Sequence, residues 1–244
     1  MTATLYAMAS SKSAQDTGSG TGGGELLECL EVSTSDNPEY SVIWMHGLGA
    51  DGHDFEPIVP YLGLPPGLSI RFVFPHALMR PITINGGAVM RAWYDIKEIS
   101  TTKGQDEAGV RHSATKVQEL IDRELQRGIP ASRIVLAGFS QGGAMALHVG
   151  LRYPQKLAGI MVLSAYLMFP ERLQSEISEA NTTTPVFVAH GSQDPVIPIA
   201  LGQAICSRLE AGQWPVEWHS YPVPHSVSQA EITDIGRWLK GCFS

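Results

Sequence analysis

The run Ile134-Val135-Leu136-Ala137-Gly138-Phe139-Ser140-Gln141-Gly142-Gly143 decides the fold. Its opening residues are apolar without alternation, as expected of a strand covered on both faces in a parallel sheet. Residues 141–151 follow without a single charge, which predicts a helix buried on most sides. A serine between such a strand and such a helix sits on a sharp turn that thrusts its hydroxyl clear of the sheet. Gly138 and Gly142 let the flanking backbones pass closely there. The helix amino terminus adds a favourable potential for a developing anion. A phosphate-binding turn would share this geometry, but the segment carries neither G-x-G-x-x-G nor a closing Gly-Lys-Ser/Thr. Ser140 reads as a nucleophile.

The same strand pattern recurs on both sides of this run. Residues 41–45, 70–74, 159–163 and 185–189 are short apolar runs, and residues 26–32 alternate like an outer strand. Helical patterns fill the gaps at 107–127, 199–211 and 228–240. Gly128 and Pro130 stop the first, and Ile232, Ile235, Trp238 and Leu239 form a stripe on the last. The expectation is an α/β protein of one domain over residues 25–244, a doubly wound and mostly parallel sheet with helices on both faces. Before it, residues 1–24 end in Gly18, Gly20, Gly22, Gly23 and Gly24 interspersed with Ser and Thr, the composition of a flexible tail.

Composition narrows the partners. The chain has 244 residues, 43% hydrophobic and 17% charged, which is globular. Seventeen basic against 24 acidic residues give a net charge of −7, which argues against nucleic acid or an anionic membrane as partner. No apolar run nears the ~20 residues of a membrane span, so stable membrane insertion is not expected. Cys29, Cys206 and Cys242 are odd in number and far apart, a usage that fits the cytoplasm.

A serine hydroxyl is a weak nucleophile until a base takes its proton and a carboxylate orients that base. On a turn of this kind the partners follow in the order Ser, Asp or Glu, His. After Ser140 the aspartates are Asp194 and Asp234. Asp194 lies in a loop just past the strand run 185–189, where open α/β sheets build their sites; Asp234 falls inside the last helix and reads as a surface charge. The histidines after Asp194 are His219 and His225. His219 is fixed in an alternating strand, whereas His225 follows Pro222-Val223-Pro224 on a loop that can reach Ser140. His148, within the uncharged helix, reads as a core histidine.

An acyl-transfer site also needs donors for the oxyanion. The backbone N–H of Gln141 is one, and the glycine-spaced loop His46-Gly47-Leu48-Gly49 after an early strand should supply the other from Leu48, with Gly49 as the alternative. His46, Asp51, His53 and Asp54 are of types that suit zinc, but no standard metal spacing joins them, and no metal is expected. Leu78, Met79, Trp93, Tyr166 and Leu167 are candidate substrate-binding residues, most of them just past the carboxyl ends of expected strands.

With these pieces in position, the chain resembles the phospholipase/carboxylesterase family of α/β-hydrolases, which includes the acyl-protein thioesterases. The resemblance rests on Ile43-Trp44-Met45-His46-Gly47-Leu48-Gly49, Gly138-Phe139-Ser140-Gln141-Gly142-Gly143, His190-Gly191-Ser192-Gln193-Asp194-Pro195-Val196 and Pro224-His225-Ser226. Residues 75–81, 84–87 and 91–95 look like the bacterial carboxylesterase branch. The family pattern implies the same triad, Ser140, Asp194 and His225, and the same oxyanion donors, Leu48 and Gln141. Ala50 stands where many members have aspartate, and Val223-Pro224 where many eukaryotic members have Met-Gly. The expected activity is hydrolysis of short- to medium-chain carboxylic esters through an acyl-enzyme, without cofactor, on a small-molecule substrate. A thioesterase or lysophospholipase could use the same triad, and a non-catalytic binding module is the reading from another class. A homodimer is compatible with the sequence.

Overall fold

The computed structural model describes residues 26–98 and 104–244; the expected tail, residues 1–24, lies outside them. Among the described residues, nine strands and five α-helices follow in order. They are β1 (Cys29–Ser33), β2 (Tyr40–Met45), β3 (Ile70–Pro75), β4 (Met79–Ile82), β5 (Ala88–Arg91), α1 (Glu107–Gln126), β6 (Ile134–Phe139), α2 (Gln141–Arg152), β7 (Gly159–Leu163), α3 (Leu173–Glu176), β8 (Val186–Gly191), α4 (Ile199–Ala211), β9 (Val216–Tyr221) and α5 (Gln229–Cys242). Seven strands form one sheet in the order β1-β3-β2-β6-β7-β8-β9. Within it β1, at the edge, runs antiparallel; every other pairing is parallel.

Alternation along the central strands feeds two layers. Ile43 and Met45 point to the face covered by α1 and α2, where Val110, Val117, Leu120, Met145 and Val149 meet them. Val42 and Trp44 point to the other face, against Ile232, Ile235, Trp238 and Leu239 of α5. The stripe read from the last helical pattern is therefore the face α5 buries, and Ser228 caps it through a reciprocal bond with Glu231. On the flank, α4 lays Ile205, Cys206 and Leu209 against Ile160, Val162, Val186 and Val188. Each large apolar side chain so enclosed contributes roughly 1.5–3 kcal/mol.

Two features lie outside this pattern. Strands β4 and β5 pair with each other as a separate hairpin, and Arg91 O at its end accepts from Gly49 N–H in the loop after β2. Asp234 is not a free surface charge: its carboxylate accepts from the Tyr221 hydroxyl at 2.7 Å and from Arg237 at 2.8 Å. Burial of the strand residue Tyr221 leaves a phenol that needs an acceptor, and the α5 residue beside it supplies one.

Candidate active site

Ser140 takes φ 54° and ψ −119° between β6 and α2, a conformation that costs a non-glycine residue on the order of 1–3 kcal/mol. Close packing enforces it. A Cβ on Gly138 would lie 2.2 Å from the carbonyl of Gly142, and one on Gly142 would lie 2.3 Å from the carbonyl oxygen of Met45. The turn is closed by Ser140 N–H donating to Leu163 O at 2.8 Å, which ties it to β7. Phe139 packs its ring 4.7 Å from the imidazole of His225.

The Ser140 Oγ lies 2.9 Å from His225 Nε2, and His225 Nδ1 lies 2.6 Å from Asp194 Oδ2. The Asp194 side chain is fully enclosed. Its Oδ1 accepts from the N–H groups of Val196 and Ile197, both at 2.8 Å, so the loop after β8 folds around the carboxylate it presents. His190 braces this loop by donating from Nε2 to Ile197 O at 2.8 Å; burial lowers its pKa. Gly191 permits the loops bearing Asp194 and His225 to meet, because a Cβ there would strike the carbonyl oxygen of Pro224 at 2.3 Å. His219 is apart from this chain, stacked on Phe187 and bonded to Glu217 at 2.7 Å.

The 46–49 loop beside the Ser140 turn is held by long-range bonds. Gly49 N–H donates to Arg91 O at 2.9 Å, so that amide is committed, and among the described residues the Leu48 N–H is not. Gln141 N–H, in the first turn of α2, has no intrahelical acceptor. The tautomer of His46 follows from its neighbours. Ala77 N–H can only donate, so His46 Nε2 accepts it at 3.1 Å, and Nδ1–H donates to Gly47 O at 2.7 Å. Burial agrees with this neutral ring, pushing its pKa down to about 4. The side chain of Gln141 accepts from Trp93 N–H at 2.8 Å and donates to Tyr94 O at 2.7 Å. Sequence spacing carries no signal for these bracing roles of His46 and the Gln141 side chain.

The candidate substrate-binding residues divide. Leu78 and Met79 are 43% and 58% exposed beside β4. Tyr166 is half-buried and shares a hydroxyl bond of 2.8 Å with Tyr94. Leu167 lines a groove of about 420 Å³ with Pro170, Leu201 and Ala204. Trp93 is a correction. It is 1% exposed, and its indole N–H donates to His46 O at 2.9 Å. An indole enclosed in the core with its donor satisfied does not line a pocket; it packs against His46 and supports the 46–49 loop.

Comparisons with known proteins agree with this architecture. A family model described as Phospholipase/Carboxylesterase matches residues 27–243. The chain is 37% identical over 202 residues to the "Probable carboxylesterase" of Oryza sativa subsp. japonica, covering 82% of this chain and 76% of that protein. It is 39% identical over 208 residues to acyl-protein thioesterase 1 of Neurospora crassa, covering 82% and 85%. Among solved structures, Arabidopsis thaliana SOBER1 superposes with a TM-score of 0.79 at 32% identity, covering 84% of this chain and 99% of that one.

Proposed function

The chain belongs to the phospholipase/carboxylesterase family and is a serine ester hydrolase, and we propose that its catalytic domain, residues 25–244, cleaves soluble carboxylic esters through an acyl-enzyme on Ser140. The observation that carries this reading is the unbroken hydrogen-bond chain Ser140–His225–Asp194. Asp194 holds the Nδ1–H tautomer of His225, so Nε2 faces the serine hydroxyl as a base. His225 takes the Ser140 proton as the oxygen attacks the ester carbonyl. The N–H groups of Leu48 and Gln141 receive the oxyanion, and His225 returns the proton to the departing alcohol. A water deprotonated by His225 then releases the acid. All of these groups belong to the chain itself.

For the substrate we propose short- to medium-chain acyl esters, with Leu78, Met79, Tyr166 and Leu167 as acyl contacts. The exposure of the apolar side chains Leu78 and Met79 supports this. The relative named acyl-protein thioesterase favours a second reading, thioester hydrolysis on the same triad. Among the described residues no helix is long and apolar enough to cross a membrane, and we take the setting to be cytoplasmic. The test is a panel of soluble p-nitrophenyl esters and matched thioesters of increasing acyl length, with emulsified triglyceride alongside. On this reading kcat/KM rises by at most about fourfold per methylene, the factor set by ~0.8 kcal/mol of burial, and then levels when the pocket is full. Preference for the thioester at every length would select the second reading. A rate appearing only with emulsified long-chain triglyceride would overturn both.

A further inference from the structure

A second polar cavity lies away from the Ser140 turn. It encloses about 290 Å³ and is lined by Glu107 and Arg111 of α1, His148 and Arg152 of α2, Phe169, Arg172 and Glu176. His148 is eight residues beyond Ser140 on α2, about 12 Å along the helix axis. Two carboxylates face three guanidinium groups here. Glu107 takes Arg172 at 2.6 Å and Arg111 at 2.8 Å; Glu176 takes Arg152 at 2.8 Å and lies 3.8 Å from Arg111. Glu171 approaches Arg172 only at 3.9 Å and is 60% exposed in solvent. The cavity wall therefore carries one more positive than negative charge.

Two donor-capable atoms of residues that line the cavity have no partner among the described residues. Arg152 bonds Glu176 through Nε and the carbonyl of His148 through Nη1, yet its Nη2 is buried and unbonded. The Nδ1 of His148 is likewise buried and unbonded, on a residue only 8% exposed. Buried polar atoms left unpaired are costly, and two of them beside one cavity are suited to pairing with a ligand's oxygens. A guanidinium offers its donors in a planar fork that suits carboxylate or phosphate oxygens. The volume exceeds that of a few waters at ~30 Å³ each, and the ring of Phe169 provides an apolar wall. We propose that this cavity is a binding site for a small oxyanion, a carboxylate or phosphate group, received by Arg152 Nη2, His148 Nδ1 and the Arg172 guanidinium.

The test uses the full chain with inorganic phosphate and sodium butyrate in separate arms, at ionic strength held constant with chloride. At ten times the dissociation constant the bound anion should raise the melting temperature by about 3 °C or more. The ring resonances of His148 should move in the same titration. Arg172→Gln removes the surplus charge, and because Arg172 is 40% exposed the variant keeps a folded reference. It should weaken the response tenfold or more, whereas Arg133→Gln, on a distant surface, should leave it intact. A response to phosphate alone or butyrate alone supports the site and identifies its head group. No response to either, or one that survives unchanged in Arg172→Gln, overturns it.

Discussion

The turn that holds Ser140 and the loop that offers Leu48 face each other across the same site, but they are built differently. The Ser140 turn is packed into the parallel strands themselves: a Cβ on Gly138 would collide with Gly142, one on Gly142 with the carbonyl of Met45 at the end of β2, and Ser140 N–H donates to Leu163 O of β7. The 46–49 loop is fixed from a distance. Its bonds run from His46 to Ala77, from Gly49 to Arg91 and from Trp93 back to His46 and Gln141, across 31 to 48 residues of chain. One half of the site is locked between neighbouring strands of the sheet. The other is assembled only when the β4–β5 hairpin docks, so its geometry can degrade by degrees while the Ser140 turn stays intact.

Changes to the triad should give the largest effects. His225→Ala should lower kcat by on the order of 10⁶, while His219→Ala, outside the hydrogen-bond chain, should stay within a few-fold of the parent. Comparable losses in steady-state kinetics would erase the distinction between loop and strand histidine. Next comes Asp194→Asn, which keeps the two backbone bonds to Oδ1 but favours the wrong imidazole tautomer; kcat should fall roughly 10⁴-fold with little change in melting temperature. The braced loop should respond more mildly. Gln141→Met removes both bonds to the 93–94 segment and displaces the loop without touching the triad. Its kcat should drop about 10- to 100-fold at nearly constant KM. A loss as deep as that of His225→Ala would show that the two halves are not separable.

The smallest change in activity should come from a site outside both regions. Burial, with a further contribution from Asp234, raises the pKa of Glu231 to about 8. An acid that binds its proton more tightly when folded favours folding below its unfolded pKa, and that advantage is lost as pH rises through 8. Stability should therefore decline between about pH 4.5 and 8, by a total on the order of 5 kcal/mol. Glu231→Gln should flatten this slope in denaturant titrations, raise stability at pH 8 and leave kcat unchanged. A slope that persists in the variant would assign it to other groups.

The contrast between the two regions also explains which parts of the fold and the site are legible in the sequence. The strand runs, the buried α2 and the turn at Ser140 each follow from periodicity within a dozen residues. Asp194 and His225 are reachable because chain order and position past a strand end leave few choices. Trp93 reads as a substrate contact from its place in the chain, and the bracing by His46 and Gln141 has no signal at all. Their roles depend on where the hairpin docks, and nothing in local spacing encodes the pairing of residue 93 with residue 141. Gly49 stays open as the alternative to Leu48 for the same reason: the acceptor that commits its N–H is Arg91 O, on the far side of β3 and β4 in the chain.

The central claim is that Ser140 is the covalent nucleophile. Treatment with a fluorophosphonate followed by peptide mass spectrometry tests it most directly. The account predicts one stoichiometric adduct on Ser140, absent from Ser140→Ala, with loss of ester hydrolysis in step with labelling. A wild-type chain that hydrolyses esters without acquiring that adduct, or one labelled equally in Ser140→Ala, would contradict it.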